Sequence, residues 1–369
     1  MCKTKKKGGG SLFASILLSG LIASVISAGV YWRLNHASRE VWKEEDFQKT
    51  SDDDAFLVVF RRDILPQSAD INALRLGVLE KAKKSIFPWL WLVFFCPILL
   101  GSYLGLFLGA AAFSLSFVLY CLYAMTSLGY DEYKAHYKKN VVERLLQSID
   151  GSLFYRPESS ISEDNVKKSN IFTDIYPSYE NREPRFTIKL SGEDCFFGSI
   201  GKTVFSFSEI YLSLEKVTLR NQRSIKDHHG IFFVVDFNKH TSAVTVGMSS
   251  GQEHKMKNTN ATLVELEDPV FNDVFDVYST DQIEARYILT PAFMKSCLDF
   301  QQLTGYQISF SLVSGQLFLF IDTQYNFFEP ELLVNPVSYT EVKLCFDMIQ
   351  LIHKMVDVLS LNTRIWTKT

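Results

Sequence analysis

The sequence predicts an α+β protein in two parts: N-terminal membrane helices, namely a two-helix hairpin plus one further apolar segment, followed by an antiparallel sheet domain with a few helices. Three observations carry this. Ile86 to Tyr130 is about 45 residues without a charged side chain, enough for two bilayer crossings at roughly 20 residues each. From Arg185 onward, Phe-rich runs of strand length sit between Gly and charged punctuation. Strands come first, then a helix, a hairpin and a helix, the order of an antiparallel α+β domain. The chain therefore divides into a basic tail with an apolar segment (1–33), a polar linker and basic helix (34–85), a transmembrane hairpin (86–130), a juxtamembrane helix and linker (131–184) and a soluble α+β domain (185–369).

The tail MCKTKKKGGG leads into Ser11 to Trp32, about 22 uncharged residues and again a spanning length. Lys3, Lys5, Lys6 and Lys7 would keep the tail in the cytoplasm, so a spanning segment would put the next loop outside; the basic run Lys81 to Lys84 puts that loop inside. A spanning helix, a shallow interfacial helix and a signal segment all stay open for 11–32. Gly20, Ser24 and Ala28 form a small-residue stripe suited to helix packing. Cys2 beside the lysines permits acylation, though a lone Cys more often means nothing.

The acidic knots Glu44 to Asp46 and Asp52 to Asp54 lack the Gly and closing Glu of a calcium loop, so a solvated turn is expected and no metal. Ile71, Leu74, Leu76, Val78 and Leu79 predict a basic-ended helix over Ser68 to Ser85 that leads into the hairpin. Within the hairpin, backbone amides in hydrocarbon require helices, with a reversal near Gly101 to Gly109. Gly101, Gly105 and Gly109 make that turn or, at helix-packing spacing, offer a route to a homo-oligomer. Trp89, Trp91, Tyr123 and Tyr130 stand where interfacial aromatics belong, and lysines flank both ends, which places both ends and the following domain on the cytoplasmic side.

Asp131 to Ile149 reads as a helix with Val141, Val142, Leu145, Leu146 and Ile149 on one face, ended by Gly151. A looser stretch follows, with an apolar patch at Ile171 to Tyr176. RFTIKLS, CFFGSIG and KTVFSFSEIYLSLEKVTL read as strands, and GIFFVVDFN with SAVTVG as a hairpin. Asp268 and Pro269 open a short helix, DVYS is a strand, and Thr290 caps a helix that Gly305 ends. YQISFSL and GQLFLFID form a second hairpin over Val313 to Gly315, and Tyr339 to Leu361 is a terminal amphipathic helix.

GIFFVVDFNK, VELEDPVFNDVFDVYSTDQIEARYILTPAFM, the SFSL to LFLFID pair and FFEP at Phe327 to Pro330 resemble an uncharacterised bacterial membrane-protein family, domain of unknown function family 3137, over roughly Ala69 to Leu361. The resemblance implies a basic helix, a membrane hairpin and a cytosolic C-terminal domain in the bacterial inner membrane. It implies no activity, so no functional residue carries across. The N-terminal apolar segment departs from the family pattern.

Composition narrows function further. A net charge of −3 gives no argument for nucleic acid, and six scattered cysteines suggest neither a disulfide framework nor a zinc site. His228 and His229 with Asp227 and Asp236 are better read as a charged loop tip than as metal ligands, because adjacent strand residues point to opposite faces. The densest polar cluster is Glu265, Glu267, Asp268, Asp281, Glu284 and Arg286. It offers either an acid/base pair for hydrolysis or, preferred, caps at Asp268 and Asp281 with Arg286 neutralising a carboxylate. Ser206, Ser208 and Ser213 lack a nucleophile elbow, and no nucleotide-binding loop occurs, so no catalytic residue and no cofactor is assigned. The expected role is a domain tethered to the membrane that binds an unknown protein partner. The alternatives are a lipid or small-ligand sensor or carrier with a Phe-rich cavity, a membrane-associated hydrolase, and export into host membranes.

Overall fold

The computed structural model describes residues 29, 32, 33, 35, 36, 55–100, 129–176, 186–217, 222–237, 244–248, 261–334 and 337–358. The chain forms two units, one of Met1–Arg144 with Glu329–Lys343, the other of Leu145–Phe328 with Leu344–Thr369.

In the first unit α1 (Ala55–Val59) continues through a π turn (Phe60–Ile64) and a 3-10 turn (Leu65–Gln67) into α2 (Ser68–Leu100). The 3-10 turn carries Pro66 in its first turn, where a missing amide donor costs nothing. Helix α2 joins the predicted basic helix to the first half of the predicted hairpin without a break. Its buried positions Ile71, Arg75, Val78, Leu79 and Ala82 recur at helical spacing. Tyr339 packs against the rings of Phe56 and Phe60 at 4.9 and 5.7 Å, which closes the apolar side of α1. Helix α3 (Tyr130–Tyr137) passes through a π turn (Lys138–Val142) into α4 (Glu143–Ile149), of which 145–149 belongs to the other unit. Val141 and Val142 in the π turn, and Leu145 and Leu146 after it, are buried. Among the described residues no helix is long and apolar enough to cross a membrane. Residues 101–128, with Gly101, Gly105 and Gly109, and the stripe Gly20, Ser24 and Ala28 lie outside the described residues.

Among the described residues, the second unit is built on one antiparallel sheet of nine strands. They are β1 (Phe154–Arg156), β2 (Phe186–Ile200), β3 (Thr203–Val217), β4 (Gln222–Asp236), β5 (Val244–Met248), β6 (Thr262–Leu263), β7 (Phe275–Ser279), β8 (Gln307–Val313) and β9 (Gln316–Asp322), in the spatial order β1-β2-β3-β4-β9-β8-β5-β7-β6. The helices are α5 (Glu163–Lys168), α6 (Pro269–Val274), α7 (Gln282–Ile288), α8 (Pro291–Thr304) and α9 (Tyr339–Val358), whose first turn belongs to the other unit. The expected antiparallel sheet domain with a few helices is thus present.

The middle of the sheet is covered on both faces, which explains the unbroken apolar runs Ile231–Val235 and Leu317–Ile321, all buried. On one face Ile210, Leu212, Leu214, Phe232, Val234, Phe318 and Phe320 pack under Ile161, Val166, Phe172, Ile175 and Tyr176. On the other, Phe196 stacks on Phe207 with centroids 4.4 Å apart, and Phe233 and Phe328 complete the group. Burying each such ring stabilises by roughly 2–3 kcal/mol before entropy is counted.

Three expectations are corrected here. The stretch before Arg185 is not a linker throughout: β1 pairs with β2, and Ile161 to Tyr176 supplies one layer of the core. GIFFVVDFN and SAVTVG do not form a hairpin. β4 pairs with β3 and β9, and β5 pairs with β7 and β8, so the β8–β9 hairpin lies between them. Asp227, His228 and His229 sit inside β4 rather than at a loop tip, because β4 begins at Gln222. The other predicted hairpin does form. Val313 pairs with Gln316, and Ser314 and Gly315 have φ of 52° and 78°, the two left-handed residues that a type I′ turn requires.

Candidate functional site

The nominated cluster folds locally. The carboxylate of Asp268 accepts the amides of Val270 and Phe271 at the start of α6, and that of Asp281 accepts those of Ile283 and Glu284 at the start of α7. Both acids therefore cap helices, where the first amides have no intrahelical partner. Arg286 departs from expectation. Its guanidinium donates to the main-chain oxygens of Gln282 and Glu265 and to the Gln282 side chain, not to a carboxylate. Asn272 brackets Leu266 by bonding both its N–H and its C=O. These bonds lay α6 and α7 along the 262–266 segment. Glu265, Glu267 and Asp281 are exposed, and Asp268 and Glu284 are half-buried.

Three polar groupings were missed in the sequence. In the first, His228 Nε2 lies 3.1 Å from Asp174 Oδ2, which also receives Lys226 Nζ at 3.1 Å. The rings of Phe172 and Phe320 flank the imidazole. Burial raises the Asp174 carboxyl, but the hydrogen bond and charge of His228, then of Lys226, outweigh it and hold it down at about 2. His229 faces the other way, against Tyr211, and burial lowers its affinity for a proton while Asp322 opposes that. The two histidines cannot ligate one ion, as strand geometry requires. Asp174 gave one faint signal, as a lone acid in the apolar patch Ile171 to Tyr176.

The second grouping surrounds a bulge in β2, between Glu193 and Phe196, where Asp194 takes φ of 58°. Asp194 is fully buried, its carboxylate receives the Tyr155 hydroxyl, and its N–H donates to the Pro157 carbonyl at 3.0 Å. Glu209 is also buried and accepts the Phe327 N–H at 2.8 Å. Burial pushes the Cys345 thiol well up, and the carboxylates of Glu209 and Asp194 push it further, which favours its neutral form.

The third lies in the first unit, where side chains of α2 and α3 read the main chain of 330–334. Tyr130 donates to the Pro330 carbonyl at 3.1 Å, Tyr133 to that of Glu331 at 3.3 Å, and Arg75 to those of Leu332 and Val334 at 3.3 and 3.0 Å. Lys134 and Lys138 both pair with Oε1 of Glu329. Burial raises the Tyr133 hydroxyl, so it stays a donor.

The strands from β4 onward, the α6–α7 segment and the Glu-Pro segment beginning at Glu329 are the parts that comparison with known families picks out. Residues 226–361 match the family described as Protein of unknown function (DUF3137). The matched span holds most of β4, β5 to β9, α6 to α9 and the 329–334 segment, and it leaves out β1 to β3 and the helices α1 to α5. It is narrower than the Ala69 to Leu361 resemblance read from the sequence. No curated protein and no solved structure matches the chain.

Proposed function

We propose that this chain is a membrane-anchored protein of the bacterial inner membrane, whose antiparallel α+β domain is a binding module on the cytoplasmic side. The observation that carries the anchor is the course of α2. One unbroken helix runs from the packed, basic stretch around Arg75 to Lys84 into the uncharged stretch that begins at Ile86. A continuous helix of that kind joins the apolar stretch directly to the basic one, which puts the lysines at the boundary where an interface would lie. The uncharged run continues to Tyr130, which is the length argument for a second crossing.

Binding is favoured over catalysis by what the polar groups do. Asp268 and Asp281 are used as caps, Arg286 holds a backbone carbonyl, and the buried acids Asp194 and Glu209 hold Tyr155 and Phe327 in place. Phe196 against Phe207 and Phe172 against Phe320 pack ring on ring, so these four side chains fill the core.

The test is labelling of intact cells with an impermeant thiol reagent, using single cysteines at Asp53 and at exposed Lys202 in a cysteine-depleted chain. Protection of both positions until the membrane is permeabilised is the expected result. Labelling of Lys202→Cys in intact cells overturns the cytoplasmic placement, and release of the chain by alkaline carbonate overturns the anchor.

A further inference from the structure

At the β1 edge of the sheet, strand register puts an apolar stripe on one face. Phe154 of β1 stands opposite Phe197 of β2, and Ser199, two residues past Phe197, stands opposite Val204 of β3, so all four share that face. Phe154 is 60% exposed and Val204 59%, while Phe197 is half-buried, its ring stacked on that of Phe154 with centroids 5.5 Å apart. Single apolar side chains on a surface need no explanation, but a stacked aromatic pair with a third apolar neighbour does. Cations bracket the stripe. On the inner side the exposed Arg156 holds its guanidinium 4.8 Å from the centroid of the Phe197 ring. At the outer end Ile200 pairs with Thr203, which makes Gly201 and the exposed Lys202 the hairpin tip. Lys168 of α5 joins them, donating at 2.7 Å to Gln316, the strand partner of Asp236. Among the described residues none of these three cations has a carboxylate partner. Asp236, next to the paired Phe205 and Val235, is an acid on the same face, and the three cations outweigh it.

We propose that this edge of the sheet docks on the anionic surface of the bilayer that anchors the chain, with Phe154 and Val204 entering the headgroup layer and Arg156, Lys202 and Lys168 meeting lipid phosphates. The inference rests on the membrane-anchored reading and assigns one face of the domain to the membrane. Exposed rings gain from the acyl boundary and unpaired cations from anionic headgroups, so the two features together fit an interfacial surface. The same charge argues against a second copy, which would set these cations against themselves. An acidic peptide matches the charge, but it must come from solution. β1 follows soon after Tyr130, where the uncharged run ends, so an anchored chain holds the bilayer near this face at high effective concentration.

The test uses the full chain, depleted of cysteine, in nanodiscs of phosphatidylcholine alone or with about 30% phosphatidylserine. A fluorophore on Ser199→Cys, the exposed strand partner of Val204, is read by quenching from lipids that carry a nitroxide on the headgroup. Quenching is expected to be about threefold stronger with phosphatidylserine than without it at low salt, and to fall severalfold at high salt. The charge reversal Arg156→Glu with Lys202→Glu should bring it down to the phosphatidylcholine level, and Phe154→Ser with Val204→Ser should at least halve it. A fluorophore on Gln302→Cys, exposed on α8, which packs the opposite face of the sheet through Phe293 and Phe310, should stay unquenched in both lipids. Equal quenching at the two positions, quenching that ignores phosphatidylserine, or a charge-reversed variant quenched like the parent overturns the proposal. So does binding of a fluorescent decapeptide of glutamates around a Phe-Phe centre that the charge reversal abolishes while Ser199→Cys stays unquenched, which would make a partner protein the occupant. If the chain stays with the nanodiscs and Ser199→Cys is unquenched, this face fails and the anchor survives. If the chain does not stay with the nanodiscs, both fail.

Discussion

Lys138 lies buried in the π turn after α3, and its ammonium sits 2.8 Å from Oε1 of Glu329, an oxygen it shares with Lys134. The acid arrives from nearly two hundred residues away and joins two cations to the segment whose carbonyls Tyr130, Tyr133 and Arg75 hold. Breaking a buried pair from one side leaves an uncompensated charge, whereas replacing the ion by an apolar group of similar size does not.

The first prediction follows from that asymmetry. Glu329→Gln should destabilise the first unit by about 3 kcal/mol, because Lys134 and the buried Lys138 lose the carboxylate they share, and Lys138→Met should cost less. Amide exchange in 130–142 and 329–334, followed in the full chain in nanodiscs, separates the two. If Lys138→Met loosens those segments more than Glu329→Gln, the carboxylate is not what compensates the buried ammonium.

The second concerns acid. With its carboxyl at about 2 in the folded chain and near 4 when unfolded, Asp174 contributes stability that is complete above pH ~4 and is lost as pH falls from ~4 toward ~2. The loss is about 1–2 kcal/mol, after allowing for its partial exposure. Asp174→Asn should lower stability at pH 6 by that amount and remove this part of the acid sensitivity. A variant whose stability tracks the parent through pH 4 to 2 would show that the contact with His228 and Lys226 contributes nothing.

The third tests the caps. Asp281→Ala leaves the Ile283 and Glu284 amides without their acceptor at the start of a seven-residue helix, and should cost about 1 kcal/mol in urea unfolding. Asp281→Ser keeps a side-chain acceptor and should restore most of it. If Ser and Ala behave alike, the loss comes from charge and not from capping.

Much of the sheet was legible because its signals are local. The Ser314-Gly315 turn, the Thr290 and Asp268 caps and the Gly305 helix end, with φ of 67°, each depend on residues within five positions of one another. What escaped depends on distance along the chain. β4 and β5 were read as a hairpin since they are neighbours in sequence, but β8 and β9 intercalate between them, and no local pattern announces an intercalation. Asp174 meets His228 across 54 residues, and Glu329 meets Lys138 from the far end of the sheet domain, so neither partner could be named from spacing. Arg286 was misread for a subtler reason: a nearby carboxylate is the expected acceptor on charge alone, whereas the geometry of α7 delivers the Glu265 carbonyl.

The last prediction concerns Gly230, where β4 meets the end of β9. A methyl group built there would stand 2.0 Å from the Ile321 carbonyl oxygen and 3.0 Å from its carbon. These are backbone atoms in a paired strand, so no rotamer change relieves the contact, and the strands must part. The chain beyond β9 depends on that closeness, since the amides of Thr323 and Gln324 both donate to the His229 carbonyl at 3.2 and 3.1 Å. Gly230→Ala should therefore destabilise the domain by about 3 kcal/mol and speed exchange of those two amides. Gly247 in β5 provides the comparison, because among the described residues a methyl group there would touch only Ser309 Oγ at 3.8 Å, an ordinary contact. Gly247→Ala should change stability by less than about 1 kcal/mol. Similar losses for both would mean that alanine harms these strands for a general reason, and that the approach of Ile321 to Gly230 is not the constraint.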